Sequence, residues 1–272
     1  MNTTIYRRPI VTALNHAQHV RAAYQAAGLD APQHGAELRR VLNETPTPDA
    51  EAARLLAAGY EAEDVDAWHA DALDAMTRAL AGERLRAALS KMAPQIDAAH
   101  RDEWTDQAAH DLAPAFQRLA KNLGTAAQKL PTGPDPLDLA AVVEADAGAA
   151  YTTARESLAA LSAYAGIHTG THMNGRPARW AELLGIVHVP ETVTEQRTRL
   201  TGEARNADKL DSTHAVRDII TLIEKGQTDR AILDIARGKH KGFTLQLATT
   251  AELREREARV HRAMNYTVVD DA

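Results

Sequence analysis

The chain has 272 residues, a net charge of −6 and no cysteine, so disulfides, thiolate zinc sites, iron–sulfur clusters and cysteine nucleophiles are excluded. Hydrophobic residues reach 44% but aromatics only 4%, a core of alanine, leucine and valine that suits closely packed helices better than sheets. No apolar run approaches the roughly 20 residues that span a bilayer. The absence of cysteine fits a reducing, cytoplasmic location. Arginine in excess of lysine and abundant alanine fit a GC-rich genome, bacterial or phage.

The first helix is expected near 10–27, docked on the rest of the chain. Two short ones follow near 35–43 and 48–58, separated by Pro32, Pro46 and Pro48, with Thr47 or Asp49 capping the second. From Glu44 to Asp74 nine acids face a single base, Arg54, so the segment carries −8 and reads as a solvated face. A longer helical region shows Leu73, Met76 and Leu80 on one stripe and Leu85, Leu89, Met92 and Ile96 on another. The slip between the stripes, at Gly82, predicts a bend or a change of packing partner. Pro94 predicts a kink or restart, and Pro114 a break near 110–113.

Three prolines and a glycine in LPTGPDP, 130–136, predict a turn, with Pro136 in the first turn of the next helix. Val143, Ala147, Ala150, Ala154, Leu158, Leu161 and Ala165 then form a seam of mostly small residues that a neighbour can approach closely. The short connection makes the flanking helices antiparallel neighbours. Further on, Pro177 fits the start of a short helix ending at Gly185, and 186–189 is extended. Thr192 with Glu195, and Thr249 with Glu252, have capping-box spacing. Ser212 and Thr228 are expected caps of helices that stop at Gly226 and Gly238. GFTLQL, 242–247, reads as a short strand. Glu252–Arg256 and Glu255–Arg259 predict a solvent-exposed last helix.

Residues 166–180, GIHTGTHMNGRPARW, draw the most attention. His168 and His172 lie four apart, but Gly166 and Gly170 break the helix that would bring them together, and the glutamate of an HExxH motif is missing. A metal there needs a third ligand, such as Glu182 or His188. Asn174, Arg176, Arg179 and Trp180 form a turn feeding a helix start, where free N–H groups and two guanidinium groups can hold an anion or an acidic partner. The plainer reading is a turn with Trp180 buried against Leu183 and Leu184. A second candidate, 212–241, has the helix–turn–helix plan, with Lys225, Arg230, Arg237, Lys239 and Lys241 against Asp229 and Asp234. Its net +3 is small for phosphate binding, and a packed helical hairpin is the better reading of it.

These residues predict an all-α protein: an elongated antiparallel hairpin or bundle with a smaller C-terminal helical subdomain. The expected parts are 1–58 with short helices, 59–166 with long helices turning at 130–136, and 167–272. No catalytic set, cofactor motif or metal motif stands out. The function expected is a non-enzymatic interaction or assembly protein, such as a phage scaffold or head-associated component. It would act on a protein partner or by self-association through its long helices, with no membrane role. Two alternatives stand beside it: nucleic-acid association through 212–241, and a metal or small-ligand enzyme around 166–180.

Overall fold

A computed structural model describes residues 4–7, 16–169, 180–192 and 207–265, with 207–210 as backbone only. The chain is all-α: helices carry nearly all its regular structure, and the sheet among these residues is one pair of two-residue strands. Two compact units form, Met1–Ala31 with His100–Ala272, and Pro32–Ala99. No helix of the described residues is long and apolar enough to cross a membrane.

The smaller unit contains α2 (Ala36–Glu44), α3 (Pro48–Gly59) and the first part of α4 (Val65–Lys129). Thr47 caps α3, its hydroxyl accepting from the Ala50 N–H. Asp64 accepts from the N–H groups of Asp66 and Ala67, so an acid sits where the first N–H groups of α4 need one. Trp68 lies across Gly59 and donates from Nε1 to the Leu55 carbonyl at 3.1 Å. Arg86 donates to the carbonyls of Leu42 and Thr45 and so closes the end of α2. Gly82 lets the Thr45 side chain reach the α4 backbone; a Cβ there would come within 2.6 Å of Thr45 Cγ2. The slip in the leucine stripes thus falls where α2 ends against α4. Leu42, Leu55, Ala72 and Ala79 are the buried apolar residues of this unit. Of the nine acids between 44 and 74, eight are exposed, and Glu51 is buried beside Arg54.

The restart at Pro94 and the break expected near 110–113 are absent: one helix runs through Pro94 and Pro114 to Lys129. Each proline withholds one N–H from the ladder, at a cost of about 3 kcal/mol. At Pro114 the helix is held by Leu112 and Phe116, both fully buried.

In the larger unit, α1 (His16–Ala27) and α6 (Gly148–Gly166) pack on each other and on the second part of α4. Two contacts show that α4 and α6 run antiparallel, Thr105 with Ile167 and Phe116 with Tyr164, and further along Ala126 and Ala150 line one cleft. The expected seam is buried from Ala147 to Ala165, but Val143 is 77% exposed. The helix expected from Pro136 is in fact two. Asp138 caps α5 (Leu139–Glu144), and Asp146, at φ 51, turns the chain before α6 begins.

The C-terminal part of this unit is built on small elements. A 3₁₀ turn (Ala181–Gly185) leads into β1 (Val187–His188), which pairs antiparallel with β2 (Thr244–Leu245). Between them lie α7 (Ala207–Glu224) and α8 (Thr228–Ala236), and α9 (Thr250–Asn265) follows. Gly226 and Gly238 end α7 and α8 in left-handed turns, where the next N–H reaches back to Leu222 and Asp234. Two expected caps are not caps. Ser212 lies inside α7 and donates to the Glu191 carbonyl, and Thr228 is already helical, with Gln227 before it. Thr192 donates to the Arg259 carbonyl, and its expected partner Glu195 lies outside the described residues. Thr249 and Glu252 do form a reciprocal capping box, with bonds of 2.9 and 3.3 Å.

The exposed face expected for α9 needs correcting at Arg256. Its side chain is 2% exposed, and Nη1 donates to the carbonyls of Leu184, Val187 and Gln246 at 2.9, 3.1 and 2.9 Å. Glu252 stands 3.8 Å from its Nη2. Burial, and to a lesser degree Arg259, pulls the guanidinium down to about 10, so it stays charged at neutral pH. Arg256→Ala would strand the buried carbonyls of Leu184 and Val187 and the half-buried one of Gln246, and open a cavity. The expected loss in unfolding free energy is about 3 kcal/mol by urea titration, and a loss below about 1 kcal/mol would contradict this role.

Candidate functional site

The opening of the GIHTGTH stretch is a packed joint. Gly166 lies against the ring of His19, and a Cβ there would come within 2.9 Å of its Nδ1. His16, 2% exposed, places Nε2 at 3.0 Å from Thr105 Oγ1 and 3.2 Å from the Ile167 carbonyl. A carbonyl only accepts, so this contact requires the tautomer protonated at Nε2. Thr105 donates to the same carbonyl at 3.2 Å. The ring of His168, 1% exposed, fills the space above Gly185. His16, His19 and His168 therefore pack α1, the end of α6 and the 3₁₀ turn together.

His172, Asn174, Arg176 and Arg179 lie outside the described residues. Among the described residues no three histidine, aspartate or glutamate side chains are placed to hold a metal ion. Glu182 is buried in the 3₁₀ turn. His188 sits on β1, its pKa lowered by burial and then by Arg256 and Arg259. Trp180 packs edge-on against His261, with ring centroids 5.5 Å apart, and borders a wholly apolar cavity of about 30 Å³ with Leu183, Leu184 and Ile223. A cavity this small and apolar offers water no partners and belongs to the core.

The cations of 212–241 are placed individually. Arg237 donates to the carbonyls of Ala127, Leu130 and Pro131 at 2.6, 3.0 and 2.9 Å, so it closes the C-terminus of α4. Lys239 pairs with the buried Asp234 at 2.9 Å. Arg230 donates to Gln227 at 3.3 Å and lies 3.9 Å from Asp234. Lys225 and Lys241 are exposed. In α8, Ala231 to Ile235 are all buried. Asp229 accepts from the N–H groups of Ile5 and Tyr6 at 2.7 and 2.8 Å, which fastens residues 4–7 to the start of α8. Sequence reasoning had no signal for that contact, because its two sides are more than 220 residues apart.

An apolar stripe that the fold does not cover lies elsewhere, on α4. None of residues 83–99 is buried. Within them Leu85, Met92 and Ile96 are 57%, 49% and 37% exposed, with Leu89 between them on the same stripe. Their spacing of 4, 3 and 4 keeps the four on one line along the helix. Tyr60 at 93%, Leu56 at 61% and Leu73 at 58% add to the apolar surface of this unit. The chain matches no protein-family model, no curated protein and no solved structure.

One titration is expected to be visible. His240 is 8% exposed, and its Nε2 is buried without a hydrogen-bond partner. Burial lowers its pKa, against the opposing pull of Asp234. The native state therefore binds fewer protons than the unfolded chain, and this group costs stability as pH falls below its unfolded value of about 6.5. Urea midpoints of wild type and His240→Phe, compared at pH 7 and pH 5, should show wild type losing more on acidification. Equal losses would contradict the burial argument.

Proposed function

We propose that this chain is a non-enzymatic helical interaction protein whose α4 face at Leu85, Leu89, Met92 and Ile96 docks on another protein chain. The observation that carries this reading is the run 83–99, where no residue is buried and Leu85, Met92 and Ile96 of the apolar stripe are exposed, although Arg86 beside them bonds the end of α2. Contiguous exposed apolar surface of this kind marks interaction sites in soluble proteins. The energetics agree. Seventeen residues of helix are marginal in water even for good helix formers, and Pro94 removes about 3 kcal/mol more. A partner packed on the stripe supplies the tertiary contacts that such a helix needs. A virion-assembly component, scaffold or head-associated, is the concrete form of this reading, and its support is the composition together with that face.

Association with nucleic acid through 212–241 has less to draw on, since Arg237 and Lys239 are engaged within the fold. The test is coexpression of tagged chain with the products of neighbouring genes, followed by copurification. Wild type should retain a partner, and Leu85→Glu/Met92→Glu should retain it at least about tenfold less well. No retained partner, or retention unchanged by the two glutamates, would refute the reading.

A further inference from the structure

We infer that a second face of the smaller unit, on the hairpin of α3 and the start of α4, is a groove for a basic amphipathic helix of a partner protein. The hairpin is antiparallel. Trp68 lies on Gly59 and donates to the Leu55 carbonyl. At the other end, the pKa of Glu51 is lowered first by its bond to Arg54, and the Arg78 charge across the hairpin adds to this. Glu51 and Arg78 thus mark one flank. Gly82 and Arg86, which meet the end of α2, lie within about 80° of Arg78 around α4, so α2 occupies that same flank. The opposite flank carries Leu56 and Tyr60, about 140° and 180° round α3 from Glu51. It also carries Val65, Leu73, Met76 and Leu80, each about 140–220° round α4 from Arg78. Val65 and Leu80 are 60% and 47% exposed, like Leu56, Tyr60 and Leu73 beside them. The stripe at Leu85 and Met92 lies within about 40° of the Arg78 line, so the two apolar faces are separate.

Charge at the ends of the groove names its occupant. Glu61 and Glu63 sit in the turn at one end, and Glu83 lies about one turn of α4 beyond Leu80 at the other. All three are exposed, and none makes an ion pair among the described residues. Asp49 and Asp66 add to the rim, but both sit in the first turn of a helix, where an acid is favoured by the fold itself. Glu61, Glu63 and Glu83 have no such internal role. An apolar floor with acids at both ends is complementary to a helix with one apolar side and with lysine or arginine toward its ends. From Val65 to Leu80 the floor is about 22 Å long, which matches a partner helix of about fifteen residues. A second copy of this face would set acid against acid, and nucleic acid or an anionic bilayer would bring negative charge to the same rim.

The test is fluorescence anisotropy of a labelled leucine–lysine peptide of about fifteen residues, with leucines at helical spacing, titrated with the full chain. Wild type should bind it. A scrambled peptide of the same composition should bind at least about tenfold more weakly, since it keeps the charge and loses the apolar side. Leu56→Ser/Leu73→Ser and Glu61→Lys/Glu63→Lys should each weaken binding at least about tenfold. Both should leave the far-ultraviolet circular dichroism spectrum unchanged, because all four positions are exposed. No binding by wild type, equal binding of the scrambled peptide, or binding that Leu56→Ser/Leu73→Ser leaves intact overturns the inference. Binding that survives Glu61→Lys/Glu63→Lys overturns the basic character of the partner. Binding of phosphatidylserine vesicles, or self-association that Leu56→Ser/Leu73→Ser removes, gives the groove to a different occupant and overturns it as well. The coexpression test at Leu85 and Met92 reads the other face, so either result stands without the other.

Discussion

The C-terminal part of the larger unit depends on one buried cation. The 3₁₀ turn, β1 and β2 are each too short to satisfy their own backbone, and their carbonyls at Leu184, Val187 and Gln246 converge on Arg256. A guanidinium suits this place because it carries many donors on a planar, weakly hydrated group. The acid nearest to it, Glu252, is also the residue that closes the capping box of α9. The start of α9 and the anchoring of the strands are thus coupled through neighbouring side chains one turn apart. Arg237 repeats the device on a different element, closing the end of α4 with three bonds to backbone. In both places an arginine replaces the regular hydrogen bonding that a turn or short strand cannot give.

How much of this was legible in the sequence follows from the range of each interaction. The capping box at Thr249, the cap at Thr47 and the glycine stops at Gly226 and Gly238 are set by residues a few positions apart, and each appears where its spacing placed it. The all-α class and the antiparallel partners around 130–136 were readable from periodicity and one turn. The arginines were not. Arg256 looked like half of an i,i+4 surface pair, and its true partners lie up to 72 residues away. Arg237 looked like one charge in a basic cluster, and its partners lie more than 100 residues away. A side chain long enough to serve on a surface also reaches across a core, and local pattern does not separate the two.

Asp229 makes the same point with the opposite charge. In the sequence it only reduced the net charge of a helix–turn–helix candidate. In the fold it fastens residues 4–7 to the start of α8 with two backbone bonds. Those bonds favour its charged form, yet burial raises its pKa more than they lower it. The histidines show a related limit. His16 and His168 attracted or escaped notice by spacing alone, whereas their role comes from shape: each ring fills a place where a helix ends or a glycine leaves room.

The two prolines of α4 separate what the chain provides for itself from what it leaves open. Both lie inside the helix, both withhold an N–H, and a local rule would end the helix at each. At Pro114 the compensation is internal, since Leu112 and Phe116 on either side are sealed in the core and the proline faces solvent. Around Pro94 no such compensation exists, because Leu85, Met92 and Ile96 remain open to water. The same covalent defect sits in one helix twice and is offset by packing once. A helix that keeps a regular apolar stripe open to water carries an unused driving force of association, on the order of 1.5–3 kcal/mol for each large side chain that a partner fully covers. That unspent burial, more than the acidic segment or the histidine pair, distinguishes the smaller unit from an ordinary solvated helical hairpin.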